Sequence, residues 1–185
     1  MPRIPYVTAE NAPPELRDAM DKLPALNIIR LCANSPAACE ASMRFGGALL
    51  GSPEIDGELR ELVILRVGHL SAAPYEIQQH EAIARALGIP DAKLAGLAQG
   101  PDAPVFDGFE RAVLAVTDEI VTRGTVGAAA WAPVAERLSR AGQVELVMVI
   151  GFYMTMCRVM NVLEVDLETK PADLSGIVRL IRGTA

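Results

Sequence analysis

Two histidines, His69 and His80, are the only imidazoles in this chain of 185 residues, so proton chemistry near neutral pH has few possible owners. His80 follows Glu76 by four positions, a spacing that puts both side chains on one face of a helix. A carboxylate there fixes the imidazole tautomer and raises its basicity, as a general base requires. The same spacing also occurs as an ordinary solvated pair, and this stretch carries Gln78, Gln79 and Glu81 as well. Glu61 stands in the apolar run from Leu59 to Leu70, where a carboxylate is costly to bury unless it is paired. Arg60 and Arg66 fall on other faces of that helix. A partner for Glu61 is therefore expected from another element, as a structural ion pair or as part of a catalytic site. Tyr75, in the first turn of the His80 helix, is either a proton donor at the mouth of a site or half-buried packing. Arg30, Arg44, Arg66 and Arg158 interrupt apolar segments. One or two of them, with Arg66 and Arg30 the first choices, could clamp a substrate carboxylate.

Other chemistries find little support. There is no Cys-x-x-Cys, no His-Glu-x-x-His, no Walker loop, no Gly-x-Gly-x-x-Gly after a strand and no Gly-x-Ser-x-Gly elbow, so neither a metal nor a cofactor is called for. Cys32, Cys39 and Cys157 form an odd set without a disulfide pattern, which points to a reducing, cytoplasmic setting. The formal net charge is −6 and no run of Lys and Arg tracks a phosphate backbone, so nucleic acid is not an expected partner. The N-terminus lacks a signal-like apolar stretch. The stretch from Leu146 to Leu163 is apolar, but it carries Tyr153, Thr155, Arg158 and Asn161. It reads as a core or subunit-interface helix rather than a membrane span.

The elements that must position these residues read as helices throughout, separated by Gly and Pro, with no alternating strand pattern: the fold class is all-α. Residues 1–12 read as an extended arm that could lie over a neighbour, and residues 13–185 as one domain. Helices are expected over 14–23, 26–33 and from Ser35-Pro36 to about Leu50, then over 59–70. Another runs from about Tyr75 to Leu87, stopped by Gly88. A short helix from Asp91 follows, then helices over 105–123, 128–140, 144–163 and 174–181. The Met residues of the 144–163 helix, Met148, Met154, Met156 and Met160, read as adaptable core packing. Glu61-Leu-Val-Ile-Leu lines up with Glu145-Leu-Val-Met-Val, 84 residues later. The echo fits either a duplicated helical half or chance likeness between two buried, Leu- and Val-rich helices.

The run Leu59-Arg-Glu-Leu-Val-Ile-Leu-Arg-Val, then Tyr75-Glu-x-x-x-His80, then Ile83-Ala-Arg-Ala-x-Gly88, resembles the carboxymuconolactone decarboxylase family, which includes the alkylhydroperoxidase D-like proteins. Phe45-Gly-Gly and Phe109-Glu-Arg-Ala-Val-Leu, followed by Asp118-Glu-Ile, extend the likeness. The resemblance implies an AhpD-like helical bundle, two related helical halves, and a homo-oligomer, trimer or hexamer. In the peroxidase branch a Glu precedes a Cys-x-x-Cys and a His; the two thiol positions fall here on Ala73 and Glu76. A thiol peroxidase cycle needs an attacking and a resolving thiol, and both are missing from those places. The resemblance therefore implies a cofactor-independent lyase or isomerase of aromatic-compound catabolism. It would act on a small carboxylated lactone or diene by decarboxylation or double-bond shift. His80 would move the proton and Glu76 orient it, while Glu61 and Tyr75 handle a second proton or orient substrate, and Arg66 or Arg30 binds carboxylate. A thiol-dependent peroxidase using displaced cysteines and a non-catalytic ligand-binding protein are the alternatives.

Overall fold

The computed structural model describes residues 1–8, 11–12, 26–170 and 173–183. Among the described residues it is all helical, with an element order α1 (Asn27–Cys32), α2 (Pro36–Gly51), α3 (Gly57–Leu70), α4 (Pro74–Leu87), α5 (Asp91–Gln99), α6 (Gly108–Arg123), α7 (Ala128–Arg137), α8 (Arg140–Val162) and α9 (Ser175–Ile181). The helix expected over 14–23 lies outside the described residues.

α3 is the axle. Apolar residues surround its whole circumference, and every residue from Leu59 to Gly68 is buried. One side joins α6 and α8 in a core of Val63, Ile64, Val67, Val113, Val116, Val149 and Ile150. The other side, through Leu62 and Leu65, meets Ala84 of α4, Leu94 and Leu97 of α5, and Leu114 of α6. α8, whose sequence echoes α3, packs directly against it. Among the described residues, α8 is the one helix long and apolar enough to cross a membrane. Leu146, Val149, Ile150, Tyr153 and Cys157 bury one of its faces in the core, while Val144, Val147 and Met148 are exposed.

Caps explain where the helices depart from the sequence reading. Asp107 accepts hydrogen bonds from the Phe109 and Glu110 amides, and Glu110 answers to the Asp107 amide. This capping box starts α6 at Gly108, and the preceding Val105 and Phe106 pack into the core instead. Ser139 accepts from Gly142 N–H, so α7 stops at Arg137 and α8 begins at Arg140, earlier than the apolar run suggested. Gly88 ends α4 as expected, at a left-handed φ of 105° that a side chain would resist. The N-terminal arm lies along its own chain. Arg3 N–H donates to Leu163 O and its guanidinium to Glu164, Tyr6 Oη donates to Asp166, and Val7 N–H donates to Arg30 O.

Because α3 has no solvated face, truncation at its centre leaves a hole that the surrounding helices cannot readily close. Ile64→Ala is expected to cost about 3 kcal/mol in urea unfolding; a loss under about 1 kcal/mol would show that α3 is not the packing centre.

Candidate active site

Glu61 projects from the middle of α3, while Glu76 and His80 project from the first two turns of α4. The link between the helices is short: Ala73 N–H donates to Gly68 O, Ala72 takes a left-handed φ of 47°, and Pro74 opens α4. Gly68 allows the close approach. A Cβ there would sit 3.2 Å from Ile77 Cγ1 and 3.6 Å from Glu76 Cγ, so the bare backbone lets the first turn of α4 lie on α3 without displacing Ile77.

The result is one imidazole between two carboxylates. His80 Nδ1 lies 2.7 Å from Glu61 Oε2, a charge-assisted hydrogen bond, and His80 Nε2 lies 3.2 Å from Glu76 Oε1. The second contact is close enough for charge attraction but lacks hydrogen-bond alignment, and Glu76 Oε1, like Glu61 Oε1, has no hydrogen bond among the described residues. All three groups are buried, Glu61 completely. Burial alone would lower the His80 pKa, but the charges of Glu61 and Glu76 and the Glu61 hydrogen bond overcome it and hold the imidazolium up to about 9. Burial raises Glu76 to about 7, against the attraction of His80 and with the repulsion of Glu61. The site thus holds an acid that stays protonated at neutral pH beside a carboxyl group that titrates there.

Glu76 and His80 open on a cavity of about 220 Å³. Its walls are mostly apolar: Ile28 and Ile29 of α1, Met43 and Leu50 of α2, Phe152, Met156 and Met160 of α8, and Ile177 and Leu180 of α9. Gly46 lets α2 come within van der Waals range of Phe152. Tyr153 stands edge-on to the His80 ring, with centroids 5.0 Å apart. No Lys or Arg among the described residues lines the cavity. Among the described residues, no three His, Cys, Asp or Glu side chains are arranged to hold a metal ion.

The structure brings Glu61, Glu76 and His80 together, and it answers the question of Glu61's partner: His80 of the neighbouring helix. Their roles are redistributed, since the aligned hydrogen bond that orients His80 comes from Glu61 rather than Glu76. The Tyr75 ring lines the cavity. Its hydroxyl is committed elsewhere, donating to Glu168 Oε1 at 2.5 Å and accepting from Ile28 N–H, and burial and Glu168 raise its pKa. The two arginines are corrected. Arg66 makes a bidentate pair with Asp118 at 2.6 and 2.7 Å and donates to Leu97 O, a structural clamp between α3, α5 and α6. Arg30 donates to Val7 O and stacks over the Tyr6 ring, holding the N-terminal arm. Neither lines the cavity. Met156 and Met160 face the cavity, whereas Met148 is largely exposed. Sequence reasoning missed Tyr153 and Phe152, because only the register of α8 against α3 and α4 shows that they face the site. It also set aside Arg60. That guanidinium is buried, fastens the loop after α2 by donating to Ser52 O and Ile55 O, and lies in the field of Glu61. Burial pushes the thiols up, Cys32 to about 11 and Cys157 to about 12, and none of the three cysteines lines the cavity.

Solved structures share this architecture. The alkylhydroperoxidase AhpD core of an uncharacterized peroxidase-related protein from Ralstonia eutropha JMP134 aligns with a TM-score of 0.79 at 16% identity, covering 98% of this chain and 96% of its own. An uncharacterized peroxidase-related protein from Silicibacter sp. TM1040 gives 0.76 at 17% identity, over 91% and 94%. The debrominase Bmp8, in a Cys-to-Ala form in complex with 2,3,4-tribromopyrrole, gives 0.75 at 16% identity, over 100% and 97%. At such identities the likeness is one of fold, and the fold is AhpD-like. Among curated proteins the chain has no match. Residues 36–119, which hold Glu61, Glu76 and His80, match the carboxymuconolactone decarboxylase family.

The same charges give a stability signature. Folding raises His80 from its ordinary 6.5 to about 9 and Glu76 from 4.5 to about 7, so the folded state binds more protons than the unfolded chain across that range. Stability from both groups therefore falls as pH rises, and the His80 share is lost between about 6.5 and about 9. Melting temperatures recorded from about pH 6 to about pH 9.5 are expected to decline, with a shallower slope in His80→Gln. Parallel slopes for the two proteins would contradict the imidazolium assignment.

Proposed function

We propose that the protein is a cofactor-independent lyase or isomerase that moves a proton on a small, unsaturated, largely apolar substrate. One observation carries the reading: His80 is held between Glu61 and Glu76 at the wall of an apolar cavity, so an acid and a base face the same small volume. Glu76, ionised above about pH 7, takes a proton from carbon next to the conjugated system, and the His80 imidazolium delivers one at the other end. Glu76 is then protonated and His80 neutral. They stand 3.2 Å apart, and once the contact comes into hydrogen-bond alignment a proton passes back from one to the other and restores the starting state. Glu61 holds its hydrogen bond to Nδ1 throughout, orienting the ring and stabilising the imidazolium. Decarboxylation uses the same parts differently: carbon dioxide leaves, the bonding pair stays behind and spreads into the conjugated system, His80 protonates carbon, and water returns the proton to His80.

The cavity lining revises the substrate. His80 is the one cation on it among the described residues, so a compact, multiply carboxylated molecule lacks the partners it needs inside. The complex of the debrominase with a small aromatic ring supports a ring-sized unsaturated substrate for this fold. A thiol peroxidase is supported less, given cysteines outside the cavity with thiol pKa values pushed up by burial. Three unpaired cysteines support a cytoplasmic setting. The exposed apolar residues Val144, Val147 and Met148 of α8 support a homo-oligomer.

With conjugated lactones and dienes followed by proton NMR in deuterated water, Glu76→Gln and His80→Gln are each expected to lower kcat/KM by about 10²–10⁴-fold. The wild-type kcat/KM should rise through about pH 7 and fall above about pH 9, as the base ionises and then the acid is lost. Turnover that survives both substitutions but disappears when the cysteines are replaced would overturn the reading in favour of thiol chemistry.

A further inference from the structure

A second cleft of about 230 Å³ adjoins the inner cavity, and Gln79 and Leu174 belong to the walls of both. Its other walls are Gln78 and Ala82 of α4 and the extended segment Glu168, Thr169 and Lys170. That segment is fastened in place. Glu168 Oε1 accepts from Tyr75 Oη and from Asn27 N–H, and the Gln78 amide pairs with the Glu168 backbone in both directions. Glu168 Oε1 is thereby committed to Tyr75 and α1, and Gln78 is spent further on Gln79 Nε2. What is left to meet a ligand is the Thr169 hydroxyl and the ammonium of Lys170, which is exposed and has no carboxylate partner among the described residues. Apart from His80, Lys170 is the one cation on the walls of these two adjoining spaces among the described residues.

We infer that this outer cleft is the entry subsite, that Lys170 there binds the carboxylate of an unsaturated monocarboxylate, and that the apolar tail passes between Gln79 and Leu174 to reach Glu76 and His80. The inference rests on the proton-transfer reading of the inner cavity and refines it. The charged head stays in solvent-accessible surroundings, where a lysine suffices, and only uncharged carbon enters the apolar space. The carboxylate so held lies on the far side of Gln79 from the acid–base pair, so it is not the group lost. The reaction assigned to the tail is a double-bond shift, in which one proton leaves carbon to Glu76 and one arrives from His80, with no net change in atoms.

Binding of trans-cinnamate and of uncharged cinnamamide, measured by calorimetry, tests the subsite without requiring turnover. Lys170→Ala is expected to weaken cinnamate about fivefold and leave cinnamamide unchanged, as for a partly solvated charge-assisted contact. Lys170→Glu should weaken cinnamate further, and added salt should weaken cinnamate alone. Gln79→Trp, which fills the passage, should abolish binding of both probes. Equal cinnamate affinity in wild type and Lys170→Ala, no cinnamate binding by wild type, or undiminished binding by Gln79→Trp would overturn the inference. Lys170-dependent binding with no turnover of any diene would leave the subsite standing and remove the proton-transfer reading. Turnover that requires His80 but ignores Lys170 would do the reverse.

Discussion

A buried imidazolium is the constraint on which the rest of this molecule depends. His80 sits where water does not reach it freely, and only the two carboxylates beside it make a charge tolerable there. Neither carboxylate can be considered alone. Glu61 is completely buried and makes the aligned hydrogen bond, so it acts as the fixed counter-charge. Glu76 is left with the weaker contact and an environment that favours its neutral form, and so it is the group free to exchange protons near neutral pH.

Local structure serves this arrangement at several levels. Asp56 caps α3 and fixes where the helix begins, which sets the angular position of Glu61 five residues later. Gly68 and the left-handed Ala72 let α4 turn back at close range, bringing Glu76 and His80 onto the same space. α3 itself is rigid because its whole circumference is packed. The cavity wall on the far side is built from looser parts, with flexible methionines from α8 and a short C-terminal helix that contributes Ile177 and Leu180. In the proposed reaction, chemistry rests on the packed side and ligand accommodation on the adaptable side.

Much of this was legible in the sequence, and the unread parts share a cause. The all-helical fold, the fully buried α3 and the Gly88 stop follow from periodicity and local backbone chemistry. The Glu76 and His80 pair follows from spacing on a single helix. That Glu61 needed a partner could be read from the cost of a carboxylate in an apolar run, but which side chain supplied it is a matter of how two helices meet. The arginines misled for a related reason. A guanidinium in an apolar segment signals an unmet need for acceptors, and Asp118, Leu97 O and Val7 O, all distant in the chain, meet it for Arg66 and Arg30. Tyr153 and Lys170 carried no local signal, since their relation to the site exists only once α8 and the C-terminal segment are folded against α4.

The central claim is the charge on His80, and nitrogen NMR of the imidazole reads it directly. With only two histidines in the chain, His69→Gln isolates the signal. Both ring nitrogens of His80 are expected to remain protonated at neutral pH and to titrate at about 9, and Glu61→Gln should bring that value down. A ring that is already neutral at pH 7 in the otherwise intact protein would contradict the clamped imidazolium and the acid role built on it.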